Sequence, residues 1–290
     1  MPHPPNPIVQ RVKDSAKQLL PDALFLSLLH LKHIGRFPKL LRPTTFNEKI
    51  LQRSLRPDPG YSVLTDKLAV REYVKKIGEK HLVPLITAPQ VFTRAVFEQL
   101  PESFVTKTNH GSSFVELVHD KSQLTFEHLN FLASQWMSTN FYKIARERHY
   151  SEIRPRIFFE NLLLDDGGCV PADYKVHCFA NRPGPPMMYI AVISDRFGEV
   201  PRGDVFDVQW NHLDVTIGPY VRSTATPPPA NLDSIPSTAT VLSEDFDYVR
   251  VDLYAPNNDI YFGELTFTPG VGIVPMRPDR VDFEWGRLLT

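Results

Sequence analysis

Between Val249 and Phe267 the chain gathers its charge on one face of an alternating pattern. Val249-Arg-Val-Asp-Leu-Tyr254 and Ile260-Tyr-Phe-Gly-Glu-Leu-Thr-Phe267 read as the strands of a hairpin. With the turn centred on Asn258, Arg250 lies opposite Thr266 and Asp252 opposite Glu264. A side-chain period of two puts those four on one surface and Val249, Val251, Leu253, Leu265 and Phe267 on the other. Opposed residues hold their Cβ atoms about 4.5 to 5.5 Å apart, near enough for two carboxylates to grip one divalent cation. Asp252 and Glu264 are hard oxygen donors suited to Mg²⁺, which completes its shell with phosphate oxygens and water. Thr266 adds a hydroxyl, and Arg250 can stabilise charge on a transferred phosphoryl group. The alternative is a solvated face on which Arg250 only neutralises two acids.

Further residues suit the same nucleotide chemistry. Lys107 ends an apolar run just before Asn109-His-Gly-Ser-Ser113, where an ammonium can meet phosphate oxygens while the N–H groups of Gly111, Ser112 and Ser113 close over them. Lys175 sits on a strand whose neighbours Val176 and Cys178 face the other way; it serves either as a second phosphate ligand or as a partner of Asp173 or Glu160. The run Phe158-Phe-Glu-Asn-Leu-Leu163 is apolar enough to pack on an adenine ring and offers backbone to the base edge, although such a run also suits a buried strand. Asp165 and Asp166 either accept from ribose hydroxyls or make a turn. His110 is either a general base or a loop histidine held by hydrogen bonds.

Composition narrows the field. The 290 residues carry 32 basic and 33 acidic side chains, so no field favours nucleic acid. Cys169 and Cys178 have neither metal-ligand spacing nor nucleophile context and are expected to be free thiols of a cytoplasmic protein. No Gly-x-Gly-x-x-Gly, Walker-type loop or nucleophile elbow is present. Met1-Pro-His-Pro-Pro-Asn-Pro7 lacks the pattern of a signal peptide and is expected to be disordered. Leu19 to Leu31 is too short to span a bilayer; a core helix is expected there, with a membrane-surface role as the alternative.

The elements that must position these groups come next. Thr45-Phe-Asn-Glu48 is a capping box that opens a helix to about Gln52, and a second helix runs from near Asp66 with Val70, Tyr73, Val74 and Ile77 on one stripe until Gly78 stops it. Leu82–Ile86 forms a strand or strand edge, and Phe104–Lys107 and Phe114–Val118 form a two-stranded flap with a polar tip. Helices follow over 125–147, with Phe126, Leu129, Leu132 and Trp136 at helical spacing. Ile157–Leu164, the turn Asp165–Gly168 and Asp173–Phe179 are expected to form a hairpin, extended by Met187–Ile193. The Ser/Thr/Pro-rich stretch 222–240 is a surface loop, in which Leu232, Ile235, Ala239 and Leu242 hint at a helix that Pro236 caps or kinks.

This order of parts resembles the ATP-grasp superfamily, in which two α+β subdomains hold ATP between them. Arg250-Val-Asp-Leu-Tyr and Gly263-Glu-Leu-Thr-Phe-Thr-Pro-Gly270 are similar to the ending of the D-alanine ligase branch, and Lys107 with His110-Gly-Ser-Ser113 looks like that branch's lysine and phosphate-covering loop. More closely, Thr45-Phe-Asn-Glu-Lys49, Thr65-Asp-Lys67, Lys107-Thr-Asn-His-Gly-Ser112, Asp173-Tyr-Lys175 and Tyr261-Phe-Gly-Glu-Leu-Thr-Phe267 resemble the TupA-like ATP-grasp family of cell-surface polysaccharide clusters. The resemblance implies an α+β, ATP-grasp fold with antiparallel sheets clasping ATP, divided into a mostly helical region 1–80, a lid subdomain 81–155 and a C-terminal subdomain 156–290. It implies ATP and Mg²⁺ as cofactors, phosphate contacts from Lys107 and Lys175, and a cover of His110, Gly111, Ser112 and Ser113. Adenine would lie on Glu160, Asn161, Leu162 and Leu163, Mg²⁺ on Asp252, Glu264 and Thr266, and the intermediate against Arg250. The activity implied is an ATP-dependent carboxylate–amine ligase that joins an amine to a carboxylate of a sugar or small metabolite, on a substrate in solution or at a membrane surface. A kinase acting on a hydroxyl is the alternative.

Overall fold

The computed structural model describes residues 20–181, 183–194, 200–223 and 226–289. The segment Met1–Pro7, expected to be disordered, lies outside the described residues. Two antiparallel sheets organise the chain. The first holds β1 (Leu85–Thr87), β2 (Phe104–Thr108), β3 (Val115–Val118) and β4 (Ile157–Glu160) in the order β1-β4-β2-β3. The second holds β5 (Asp173–Asn181), β6 (Gly184–Ser194), β7 (Arg202–Phe206), β8 (His212–Leu213), β10 (Tyr248–Tyr254) and β11 (Tyr261–Thr266) in the order β11-β10-β5-β6-β7-β8. A short pair, β9 (Thr216–Ile217) and β12 (Met276–Arg277), stands apart.

The placement of β4 corrects the expected hairpin of 157–164 with 173–179. All four β4 residues are buried, and the strand lies between β1 and β2, with Thr106 opposite Phe159 and Lys107 opposite Phe158. A strand apolar on both faces needs a partner on each edge and a layer on each side, which one hairpin neighbour cannot supply. Residues Ile157–Glu160, assigned from the sequence to the C-terminal subdomain, therefore sit in the first sheet, and 161–172 crosses from one sheet to the other. The Asp165 turn is real but lies within this crossing, where the carboxylate accepts the N–H groups of Gly167 and Cys169.

The hairpin of β10 and β11 has the expected register at its chemical end, with Arg250 opposite Thr266 and Asp252 opposite Glu264. Beyond Asp252 the register slips, so that Leu253 faces Phe262 and Gly263 is bulged out. A Cβ on Gly263 would stand 3.1 Å from the Asp252 carbonyl oxygen and 3.2 Å from the Tyr254 ring, so the bulge is built for glycine.

Each face of the second sheet has its own cover. Val176, Cys178, Ile190, Val249, Val251 and Leu253 pack beneath the helix Ser234–Ser243, whose Ile235, Ala239 and Leu242 are fully buried. Pro236 sits in the first turn of that helix, where no N–H bond is lost. The opposite face carries the aromatic cluster of Phe46, Phe179, Tyr248 and Trp285 at one end and the charged row of Arg250, Asp252 and Lys175 at the other. The helices Phe46–Leu55 and Arg280–Leu288 cover the aromatic end. The first of them has the expected capping box, with Thr45 accepting from the Glu48 N–H and Glu48 from the Thr45 N–H, and it extends to Leu55. In the first sheet, Phe104, Val118, Ile157 and Phe159 pack on the helical layer that includes Leu129 and Ala133 of Phe126–Ser138.

The helix expected in the core over Leu19–Leu31 runs from Asp22 to Ile34 but buries only one side. Leu26 and His30 are fully buried, while Leu24, Leu28 and Leu31 are 45%, 42% and 37% exposed. Its apolar residues encircle it, so periodicity gave no signal for which side faces inward.

Gly286 of the last helix lies directly over the start of Phe46–Leu55, where a Cβ would approach the Thr44 carbonyl oxygen to 2.4 Å and the Phe46 nitrogen to 2.8 Å. Gly286→Ala is expected to lower stability by about 2 kcal/mol, since backbone atoms must move apart to admit a methyl group. A thermal midpoint several degrees below wild type checks this.

Candidate active site

A cleft opens between the two sheets. One wall is the face of the first sheet turned away from its helices: Val105, Lys107, Val115, Leu117, Phe158 and Glu160. The other is the β10–β11 hairpin with Asp252, Tyr254, Phe262, Gly263 and Glu264, and the crossing residues Asn161, Leu162, Leu163, Val170 and Pro171 close the apolar end. Lys67, Arg71 and the loop Gly111–Ser113 line the polar end.

Two distant motifs assemble this polar end by docking on each other. Asp66 accepts the N–H groups of Leu68 and Ala69 through one oxygen and the side-chain amide of Asn109 through the other, at 2.8 Å. Asn109 is fully buried and also ties the loop to the Arg154 carbonyl and the Arg156 N–H. Lys67 then reaches the Gly111 carbonyl oxygen at 2.7 Å. Gly111 has φ +80°, and a Cβ there would meet the Phe114 and Phe141 rings within 2.8 Å, so the loop can pass only as glycine. Burial pulls the Lys67 ammonium below its ordinary value, partly offset by Glu264, while the positive charge of Lys107 lowers it further.

The four hairpin groups meet in one network. The Arg250 Nε donates to Asp252 Oδ1 at 2.6 Å, and Nη2 donates to Asp252 Oδ2 at 2.7 Å, Glu264 Oε1 at 3.1 Å and Thr266 Oγ1 at 3.0 Å. Lys175 bridges Asp252 at 2.6 Å and Asp173 at 2.7 Å. Burial works against charge on Lys175, but Asp173 and Asp252 outweigh it and hold the ammonium above its ordinary value. Burial and Asp252 push the Glu264 carboxyl up, yet Lys67, Arg250 and Lys175 together hold it below its usual range. Both carboxylates therefore converge on one nitrogen, Arg250 Nη2, and among the described residues no protein donor reaches Glu264 Oε2 on the cleft wall.

That geometry fits Mg²⁺ carried in by a phosphate. Among the described residues no three His, Cys, Asp or Glu side chains converge on one point, so the chain offers two carboxylates and leaves the other positions to phosphate oxygens and water. Thr266 stands beside Glu264 at 2.9 Å but does not line the cleft; its hydroxyl donates to that carboxylate and accepts from Arg250.

The other expected residues divide. Lys107, Gly111, Ser112, Ser113, Glu160, Asn161, Leu162 and Leu163 all line the cleft. Lys107 and Arg71 both pair with Glu160, at 2.9 and 3.0 Å, so that carboxylate organises cations. The backbone of Leu162 and Leu163 has no protein partner among the described residues, while the Asn161 N–H is taken by the Pro84 carbonyl. Lys175, Arg250 and Thr266 do not line the cleft themselves but flank Asp252 and Glu264 on the same sheet face. His110 is turned away, buried between Phe114 and the Thr139 carbonyl, with its pKa lowered by burial. Asp165 spends its acceptor oxygen on its own turn.

Sequence reasoning assigned no role to two cleft groups, Lys67 and Arg71, or to Glu147, which feels the charges of Glu264, Arg250 and Lys67. Lys67 enters only as part of the Thr65-Asp-Lys67 motif of the resemblance, Arg71 stands in a segment read as a helix, and Glu147 in one read as helical. Glu147 accepts from Thr268 Oγ1 at 2.7 Å. Burial, reinforced by Glu264 and resisted by the Thr268 bond, Arg250 and Lys67, pushes its pKa up to about 7. No local signal marks Glu147, since its partner lies 121 residues away.

The folded chain binds the Glu147 proton more tightly than the unfolded chain does, so this group's contribution is full below about pH 4.5 and is lost as pH rises through about 7. Glu147→Gln removes the ionisation, and its thermal midpoint is expected to exceed that of wild type at pH 8 and to show no such gain at pH 5. Melting curves across that range check the sign.

A family model described as TupA-like ATPgrasp matches residues 47–290. No curated protein matches the chain. Among solved structures, D-alanine–D-alanine ligase from Bacillus anthracis is similar at 13% identity and a TM-score of 0.42, over 72% of this chain and 58% of that one. The D-alanine–D-alanine ligase from Helicobacter pylori is similar at 15% identity and 0.44, over 79% and 62%. N5-carboxyaminoimidazole ribonucleotide synthetase from Thermus thermophilus is similar at 12% and 0.41, over 73% and 47%. The chain thus spans less than two thirds of the length of each.

Proposed function

The chain belongs to the TupA-like ATP-grasp family, and on that premise we propose that it is an ATP-dependent ligase that joins an amine to a carboxylate through an acyl phosphate. The observation that carries the proposal is the pairing of cations and carboxylates across one cleft: Lys67, Lys107 and the Gly111–Ser113 loop at one wall, Asp252 and Glu264 at the other.

In this reading the adenine ring fills the apolar end between Phe158, Leu117, Leu163 and Phe262, with the uncommitted backbone of Leu162 and Leu163 at its edge. Lys107 and Lys67 neutralise phosphate oxygens, and the N–H groups of Ser112 and Ser113 cover them. Asp252 and Glu264 would hold Mg²⁺, which supplies Lewis-acid neutralisation of the phosphates when bound. Arg250, fixed by Asp252 on one side and Glu264 and Thr266 on the other, presents a rigid positive charge to the transferred phosphoryl group. Lys175 keeps Asp252 in place from below. The chain needs no protein nucleophile: the carboxylate substrate attacks the γ-phosphorus, ADP leaves, and the amine then displaces phosphate from the carbonyl carbon. The family resemblance suggests a uronic acid as the carboxylate and an amino acid as the amine.

A screen of uronic acids against amino acids with ATP, read by intact mass, tests the reaction class: an amide product with stoichiometric ADP and phosphate supports it, and a phosphorylated acceptor points to a kinase. Glu264→Ala is expected to retain the wild-type thermal midpoint to within a few degrees while losing at least about 100-fold in turnover. Normal turnover in that variant contradicts the assignment.

A further inference from the structure

Two residues past Thr266, where the chain has left β11 and turns into the short helix Pro269–Gly272, stands Thr268. Thr268 is fully buried, and its hydroxyl is given to Glu147 Oε1 at 2.7 Å. No protein donor reaches Glu147 Oε2 among the described residues. Glu147 feels the charges of Glu264, Arg250 and Lys67, and its partner Thr268 lies two residues beyond Thr266, whose hydroxyl accepts from Arg250.

The chain invests heavily in holding that carboxylate there. The residues on either side, Arg146 and Arg148, both bond to the buried Asp22 of the helix Asp22–Ile34, each at 2.9 Å, and Tyr142 reaches the same carboxylate at 2.8 Å. Arg146 adopts φ +61°, a left-handed conformation that costs a non-glycine residue and persists because the clamp holds it. On the other side, His149 packs edge-on against Tyr61, which stacks on Phe267 at 4.0 Å between ring centres. The segment is therefore pinned both to the N-terminal helix and to the end of β11.

We propose that Glu147 is the group that receives the attacking amine and takes its proton, with Thr268 orienting the carboxylate and the Asp22 clamp positioning the segment. This rests on the ligase reading above. The amine nitrogen uses its lone pair to form the C–N bond, the C–O bond to phosphate breaks with the pair leaving on phosphate, and the surplus N–H proton passes to Glu147 Oε2. The charged and titratable groups around Glu147 are Glu264 and Arg250 of the hairpin, Lys67 of the cleft and Tyr150 of its own segment. The burial that raises its pKa makes it a proton acceptor suited to neutral solution. The role also gives the N-terminal helix a function: Asp22 is a positioning residue.

The test uses the full chain with ATP, Mg²⁺, and D-glucuronate or D-galacturonate. Acyl phosphate is trapped as a hydroxamate by hydroxylamine, a strong nucleophile that is neutral at pH 7, and amide formation is followed in parallel with L-alanine, L-lysine or L-glutamate. Glu147→Gln is expected to bind Mg-ATP as wild type does in calorimetry and to form hydroxamate within about twofold of wild type, while kcat for the amino acid falls about 100-fold. Asp22→Asn is expected to show a weaker version of the same split. Equal loss of hydroxamate and amide in Glu147→Gln, or retention of both, overturns the proposal. Wild-type protein that binds Mg-ATP but forms no hydroxamate and no amide across the panel overturns the ligase reading first, and this proposal with it.

Discussion

The Arg250–Asp252 pair is the constraint around which the rest is arranged. A half-buried guanidinium and a buried carboxylate side by side on a sheet face are tolerable when neighbouring strands supply them with partners. Lys175 and Asp173 on one neighbouring strand and Glu264 and Thr266 on the other provide those partners. This explains why three strands must run in strict antiparallel register at this end, with Asp252 between Lys175 and Glu264. It also explains why the opposite end of the same face is aromatic: Tyr248, Phe179 and Trp285 seal it without asking for further charge.

Of the two sequence alternatives for this face, the structure shows the neutralisation directly. Arg250 does neutralise two acids, and in doing so it holds them aimed at a common point beside the cleft. A second level of organisation comes from Glu160 on the opposite wall, which gathers Lys107 and Arg71 as Asp252 gathers Arg250 and Lys175. Each wall thus carries a buried acid that holds cations in place beside the cleft.

Several elements were legible because their causes are local. The capping box at Thr45, the Ile235, Ala239 and Leu242 stripe, and the pairing of Arg250 with Thr266 all follow from spacing within a few residues or across one turn. The bulge at Gly263 was not legible, since its cause is the approach of the Asp252 carbonyl and the Tyr254 ring. The strand β4 was misplaced because an apolar run of four residues followed by Asp-Asp-Gly-Gly satisfies a hairpin pattern as well as it satisfies a crossing between sheets. Only the availability of two partners for a strand buried on both faces decides between them.

By itself, the order of residues determined the family resemblance, the charged face of the final hairpin and the lysine before the glycine loop, because each depends on residue type and on neighbours in the chain. Tertiary structure alone decided that Lys67 meets Gly111, that Asn109 is locked to Asp66, that His110 turns inward, and that Glu147 lies against Thr268. Those contacts join segments tens to more than a hundred residues apart, and burial, rather than any pattern of spacing, selects which polar groups must find each other there.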